Sequence, residues 1–268
     1  MRAARKFFDM KARGERIAML TAYDAPTARF QAQAGIDLIL VGDSVGTNIL
    51  GYGSEKDVQL LDIAHHTRAV RRGAPDMFVV ADLPYGTCET PTDAVTSART
   101  LIEAGADMVK FEGTKPDVVR ALKDMDIAVC GHIGLEPQHH EEKRLKGRTA
   151  DEARALVASA KALDDAGIDM IVLEVIPEEL GAAITKAVRA PTIGIGAGRG
   201  TDGQVLVVVD LIGLNDGAFK HNRRYAAIGD AQREAYAAYV RDVHAGTFPG
   251  PENAFRMKSD ELKLFAAE

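Results

Sequence analysis

Ala104 to Gly113, AGADMVKFEG, brings a helix end, a strand and a pair of charges together in one short stretch. Ala104 and Gly105 close a helix, Met108 to Phe111 form an apolar strand, and Lys110 and Glu112 fall near its finish. Side chains alternate along a strand, so Met108, Lys110 and Glu112 share one face. A charge on a buried face costs several kcal/mol to desolvate unless it is paired, hydrogen-bonded or bound to a metal. Lys110 and Glu112 are therefore the first site candidates.

The phrase recurs on both sides. Ala34-Gly35-Ile36-Asp37-Leu38 leads into LILVGDS, and Ala166-Gly167-Ile168-Asp169-Met170 leads into IVLEV. The glycines at 35, 105 and 167 are separated by 70 and 62 residues, which halve to 35 and 31. That is the size of a strand plus its crossover helix, roughly 30 residues. The glycine supplies the left-handed helix C-cap, and the Asp follows it in the turn.

The rest of the chain fits this period. Apolar runs at Ile17–Ala22, Ile36–Gly42, Met77–Ala81, Met108–Phe111, Ile127–Cys130, Met170–Val175, Pro191–Ile195 and Val205–Asp210 predict eight strands. Helices are expected over about 26–34, 60–72, 92–104, 115–123, 150–166 and 177–189, with a further one at 230–244 packing outside. Alternating strands and helices indicate a parallel sheet, and a count of eight favours a closed (β/α)8 TIM barrel over an open doubly wound sheet. Residues 1–268 are read as a single α/β barrel domain with a C-terminal helical extension, a length such barrels commonly have.

Composition narrows the function. A net charge of −6 with pI near 5.7 argues against a nucleic-acid partner. Two cysteines, Cys88 and Cys130, form neither a metal spacing nor a disulfide framework and read as buried structural thiols in a reducing cytosol. No apolar run reaches membrane-spanning length and the N-terminus carries no apolar targeting segment, so a cytoplasmic protein is expected.

Function in a barrel gathers at the carboxyl ends of the strands. Asp24, Asp43, Asp82, Lys110 with Glu112, His132, Glu174 and the Gly196–Gly200 turn close the first seven runs. Asp43, Asp82 and Glu112 come from consecutive strands, so their carboxylates are expected to converge at the mouth. Three close carboxylates repel, and a hard divalent cation bound through oxygen resolves the repulsion. The absence of a Cys/His set disfavours zinc or copper. Lys110 could neutralise an acid there or pair with Glu112. Ser44 and the Gly42 and Gly46 backbone could bind a substrate carboxylate or form a simple turn. His132 between glycines is a possible substrate contact. Glu174 ends an apolar strand with no neighbouring cation in sequence, a setting for a general base. GIGAG at 194–198 is a weak phosphate signal, lacking GxGxxG or Walker spacing. His65-His66 reads as surface or packing, and His139, His140, Glu141 and Glu142 as a solvated lid rather than a second metal site.

With these residues in view the chain resembles the ketopantoate hydroxymethyltransferase (3-methyl-2-oxobutanoate hydroxymethyltransferase) family. The resemblance rests on TAYDAPTA, LVGDSVG, HTRAVRRGAP, VVADLPYG, MVKFEG, VCGHIGLEPQ, VLEVIP, PTIGIGAG and TDGQVLVVVDLIG, collinear from about Arg16 to Gly250. It implies a barrel of the phosphoenolpyruvate/pyruvate superfamily and transfer of a hydroxymethyl group from 5,10-methylenetetrahydrofolate to 3-methyl-2-oxobutanoate, giving 2-dehydropantoate for pantothenate synthesis. It places the metal ligands on Asp43, Asp82 and Glu112, the keto-acid contacts on Asp43, Ser44, Asp82 and Lys110, and the proton acceptor on Glu174. It further implies magnesium and a homo-oligomer, commonly a decamer. Departures from the family pattern at 55–59, 84–88 and 136–148 border the expected mouth, which keeps two alternatives open. One is a metal-dependent lyase or aldolase that acts on a short α-keto acid without folate. The other is a non-enzymatic binding homologue.

Overall fold

The computed structural model describes residues 4–139, 144–215 and 219–267. Its centre is a closed parallel barrel of eight strands in sequence order: β1 Ile17–Thr21, β2 Leu38–Val41, β3 Phe78–Asp82, β4 Met108–Glu112, β5 Ala128–Gly134, β6 Met170–Glu174, β7 Thr192–Ile195 and β8 Gly203–Leu206. Pairing of β8 with both β7 and β1 closes the ring. Alternation along each strand sorts the side chains into two cores. Met19, Leu40, Val80, Met108, Cys130, Met170 and Val205 fill the barrel interior. Ile39, Val79, Val109, Phe111, Val129 and Leu173 point outward under the helices.

The helices are α1 Arg5–Arg13, α2 Ala25–Ala34, α3 Leu60–Gly73, α4 Pro91–Glu103, α5 Pro116–Asp124, α6 Ala150–Asp165, α7 Glu178–Ala187, α8 Val208–Leu211, α9 Ile228–Ala245 and α10 Ser259–Phe265. Their starts follow the expected chemistry. Asp24 accepts from the Thr27 N–H at 2.7 Å to cap α2, and the side chains of Thr90 and Thr149 cap α4 and α6. Asp24 is thus a cap and not a site residue. Among the described residues no helix is long and apolar enough to cross a membrane.

Three places differ from the sequence reading. The unexpected α1 closes the amino end of the barrel: Phe7 is fully buried and meets Phe78 edge-on at 5.1 Å between ring centroids. β8 begins at Gly203, earlier than expected, and the chain leaves the sheet at Val207 to form α8. Gly203 packs so closely on β1 that an added Cβ would lie 2.4 Å from the Ile17 carbonyl oxygen, and the Val208 N–H donates to Thr21 Oγ1 at 2.9 Å. β5 runs on to Gly134, so His132 lies within a strand rather than in a loop after it.

Candidate active site

The barrel register sets the polar residues side by side. Asp82 stands opposite Lys110, and Glu112 opposite His132, on strands whose lower inward residues are apolar. Asp43 lies in the turn after β2 and Glu174 at the end of β6. Together with Ser44 they line a cavity of about 580 Å³ at the carboxyl end of the barrel, floored by Leu40, Val172 and Val205. The expected residues from strands two to six are therefore brought together.

Their contacts are specific. Lys110 Nζ donates to Asp82 Oδ1 at 2.6 Å, with 5% and 2% of the two side chains exposed. The Asp43 main-chain N–H donates to Asp82 Oδ2 at 3.0 Å. Gly42 leaves room for that approach, since an added Cβ there would lie 3.3 Å from Asp82 Oδ2 and 3.1 Å from Ser44 Oγ, close enough to crowd both. Lys110 thus pairs with Asp82 and not with Glu112. Glu112 instead lies 3.4 Å from His132 Nδ1, and Glu174 lies 3.1 Å from His132 Nε2. Neither histidine nitrogen makes a well-aligned hydrogen bond, so these contacts are ionic in character. Ser44 Oγ shares a hydrogen bond of 2.8 Å with the buried Tyr23 hydroxyl, which holds it at the rim.

Burial and charge pull against one another here. Burial opposes protonation of Lys110, but Asp82, Asp43 and Glu112 outweigh it and hold the ammonium well above lysine's usual range. Burial likewise opposes a charged His132, yet Glu112 and Glu174 push it up to about 10. Burial would also raise Glu112, but His132 and Lys110 hold it below the usual carboxylate range. Asp43 goes the other way: burial first, and the Asp82 charge second, push it up to about 8.

That inversion marks a charge deficit. Among the described residues, the cations in contact with Asp43, Asp82, Glu112 and Glu174 are Lys110 and His132, which leaves two negative charges uncompensated within this cluster when all are ionised. A divalent cation would balance them, and an all-oxygen donor set without thiolate suits a hard ion such as magnesium. The expected convergence of three carboxylates on one point is corrected, however. Among the described residues no three His, Cys, Asp or Glu side chains form a cluster able to hold a metal as placed. Asp43 and Asp82 adjoin directly, whereas Glu112 is linked to Asp43 through Gln138. The Gln138 amide donates to Asp43 Oδ2 at 2.7 Å and its main-chain N–H to Glu112 Oε2 at 2.9 Å. Sequence reasoning passed over Gln138 because it lies in a polar stretch read as loop.

Glu174 is not the isolated carboxyl the sequence suggests, since His132 adjoins it. Its position is set by its backbone. Val175, next in the chain, has φ 48°, a conformation β-branched residues rarely adopt. Gly134 has φ 108°, and an added Cβ there would lie 2.3 Å from the Glu174 carbonyl oxygen. The Gly196–Gly200 turn serves close packing: a Cβ at Gly198 would strike Glu178, and Ala197 abuts Gly181 of α7. His66 binds the Tyr23 carbonyl oxygen at 2.6 Å, a packing role. Cys88 and Cys130 are free buried thiols, as expected. His139 is exposed beside Tyr85, while His140, Glu141 and Glu142 lie outside the described residues.

Comparison with known proteins identifies the family of the chain. The family model for ketopantoate hydroxymethyltransferase matches residues 2–251. A 3-methyl-2-oxobutanoate hydroxymethyltransferase from Chloroflexus aggregans is 49% identical over 94% of this chain and 93% of its own length. One from Gluconacetobacter diazotrophicus is 48% identical over 94% of each chain. Among solved structures, a phosphonopyruvate hydrolase in complex with oxalate and Mg++ superposes with a TM-score of 0.64 at 12% identity, covering 98% of this chain and 95% of that one. A 2,3-dimethylmalate lyase of the PEP mutase/isocitrate lyase superfamily superposes with a TM-score of 0.60 at 16% identity over 98% of both chains. At such identities these last two establish the barrel type alone.

Proposed function

The chain belongs to the ketopantoate hydroxymethyltransferase family, and from that premise we propose how its residues carry the reaction. It is a hydroxymethyltransferase that converts 3-methyl-2-oxobutanoate to 2-dehydropantoate in pantothenate biosynthesis. The observation that carries the assignment of roles is the split of the cavity. Asp43, Asp82 and Lys110 cluster at the ends of the adjacent strands β2, β3 and β4, whereas Glu174, beside His132, closes β6 further round the ring.

Asp43 and Asp82, with Glu112 adding charge nearby, would hold a divalent cation, magnesium in the family pattern. When bound, such a cation supplies Lewis-acid stabilisation of negative charge developing on the oxo acid. Lys110, kept protonated by its carboxylate neighbours, offsets charge on the substrate carboxylate, and Ser44 offers a hydroxyl oriented by Tyr23. Glu174 removes the C3 proton, while His132 holds its carboxylate toward the cavity. Water adds to the methylene of 5,10-methylenetetrahydrofolate and frees it from both folate nitrogens as formaldehyde, leaving tetrahydrofolate; the C3 carbanion attacks that carbon, and the alkoxide formed takes back the proton held by Glu174 to give the hydroxymethyl group. The cavity is larger than a five-carbon oxo acid requires, which leaves room for the folate end that delivers this carbon.

The alternative of a folate-independent lyase or aldolase is not favoured, because relatives at 45–49% identity over nearly the full chain all carry the transferase name. A cytoplasmic homo-oligomer fits the reading. Free buried thiols suit a reducing compartment, and exposed Tyr236, Tyr239, Val240 and Val243 on α9 suit a subunit contact. The test is deuterium exchange at C3 of 3-methyl-2-oxobutanoate, followed by NMR without folate. Exchange by the wild-type chain and its loss in Glu174→Gln are expected; equal exchange by both would remove Glu174 from the role.

A further inference from the structure

We propose that Gln138 is a positioning residue of the cation centre, fixing Asp43 relative to Glu112 and thereby setting the affinity for the ion. The proposal rests on the reading of Asp43, Asp82 and Glu112 given above. Gln138 belongs to a polar loop after β5, yet it is 2% exposed. From there it reaches back to three strand ends. Its amide nitrogen donates to Asp43 Oδ2 at 2.7 Å and to the Leu83 carbonyl oxygen at 3.3 Å, beyond β2 and β3. Its main-chain N–H donates to Glu112 Oε2 at 2.9 Å, at the end of β4.

The direction of the amide follows from its partners. A carboxylate and a carbonyl oxygen only accept, so the nitrogen must face them. With both of its hydrogens committed, the amide has one orientation available. A carboxylate oxygen that accepts one hydrogen bond keeps a second lone pair, so the donor orients Asp43 without occupying it. Outer partners of this kind typically set metal affinity by about 10–100-fold. A residue that only packed the loop would need neither donor, and the loop would remain closed with any side chain of similar volume. The main-chain bond to Glu112 survives substitution, so a side-chain change isolates the Asp43 contact.

The test is titration of chelator-stripped protein with Mn²⁺, reading free ion by its paramagnetic resonance signal, for wild type, Gln138→Met, Gln138→Leu and Asp82→Asn. The expected result is a Kd raised roughly 10–100-fold in both Gln138 variants, with binding abolished in Asp82→Asn. In the C3 exchange assay the half-saturating metal concentration should rise in parallel, while the rate at saturating metal stays within about threefold of wild type. A Kd within twofold of wild type in the Gln138 variants would overturn the proposal and leave the metal reading standing. So would loss of the saturated rate with unchanged metal dependence, or failure of both variants to fold with Mn²⁺ present, since each would make Gln138 structural. Absence of Mn²⁺ binding by wild type, or undiminished binding by Asp82→Asn, would instead sink the metal reading itself.

Discussion

Replacing Lys110 by Met removes the ammonium while keeping a side chain of similar volume inside the barrel. In the native site that ammonium sits 2.6 Å from Asp82, with both side chains nearly inaccessible, and Asp43 and Glu112 also lean on its charge. Breaking a buried pair by deleting one partner costs about 3–5 kcal/mol, because the remaining charge stays buried without compensation. With all four carboxylates ionised the excess of negative charge rises from two to three, so the upper part of that range is expected in metal-free protein above about pH 8. Proton uptake by Asp43, already pushed up to about 8, is the cheapest relief, so the deficit should be largest above about pH 8 and shrink as pH falls through it. Added magnesium should restore part of it. Urea unfolding of stripped and magnesium-loaded protein measures both effects, with Arg120→Met as a control that removes the exposed Arg120–Asp117 pair and should change almost nothing. A loss below about 1 kcal/mol, or one indifferent to magnesium and pH, would refute the view of Lys110 as the main counter-charge of a cation-seeking acidic site.

Glu174→Gln should lower C3 exchange by about 10²–10⁴-fold, the usual contribution of a general base, with Mn²⁺ binding unchanged; normal exchange would argue for another base. The stability of metal-free protein should fall as pH rises from about 5 to 8. Asp43 binds its proton in the folded state up to about 8 but releases it near 3.8 when unfolded, so its contribution is complete below 3.8 and is lost through 8. His132, raised from 6.5 to about 10, adds loss in the same direction above 6.5. The slope should approach about 1.4 kcal/mol per pH unit below pH 6.5, steepen toward about 2.7 above it as His132 joins Asp43, and flatten with magnesium in urea titrations; a rise in stability over this interval would contradict it. Gly134→Ala should cost about 2–4 kcal/mol, from its positive φ and the loss of the Leu135 N–H bond to the Glu174 carbonyl, and should cut kcat by displacing Glu174. Thermal melting and turnover check this together, and a neutral substitution would mean the β5–β6 contact is looser than described.

The strand ends were legible because a charged residue closing an apolar run stands out, and alternation alone puts Lys110 with Glu112. The same logic failed where side chains of equal character follow one another. In VLVVVDLIG, an unbroken apolar run does not distinguish a strand from a buried helix, and the choice is made by Thr21 on a distant strand, which binds Val208. Charged residues hid α1, whose single deeply buried side chain, Phe7, plugs the barrel. The pairing of Lys110 with Asp82, and of His132 with both glutamates, depends on inter-strand register and has no local signature. Gln138 is the extreme case: nothing in GLEPQ separates it from an ordinary surface loop, and only the closed barrel shows what it reaches.

The most direct measurement is formation of 2-dehydropantoate from 3-methyl-2-oxobutanoate and 5,10-methylenetetrahydrofolate by protein stripped with a chelator, before and after magnesium is returned. Turnover should vanish on stripping, return with magnesium, and fail to return in Asp82→Asn. Full turnover by stripped protein, or by Asp82→Asn, would contradict the account of an acidic barrel mouth that works through a divalent ion.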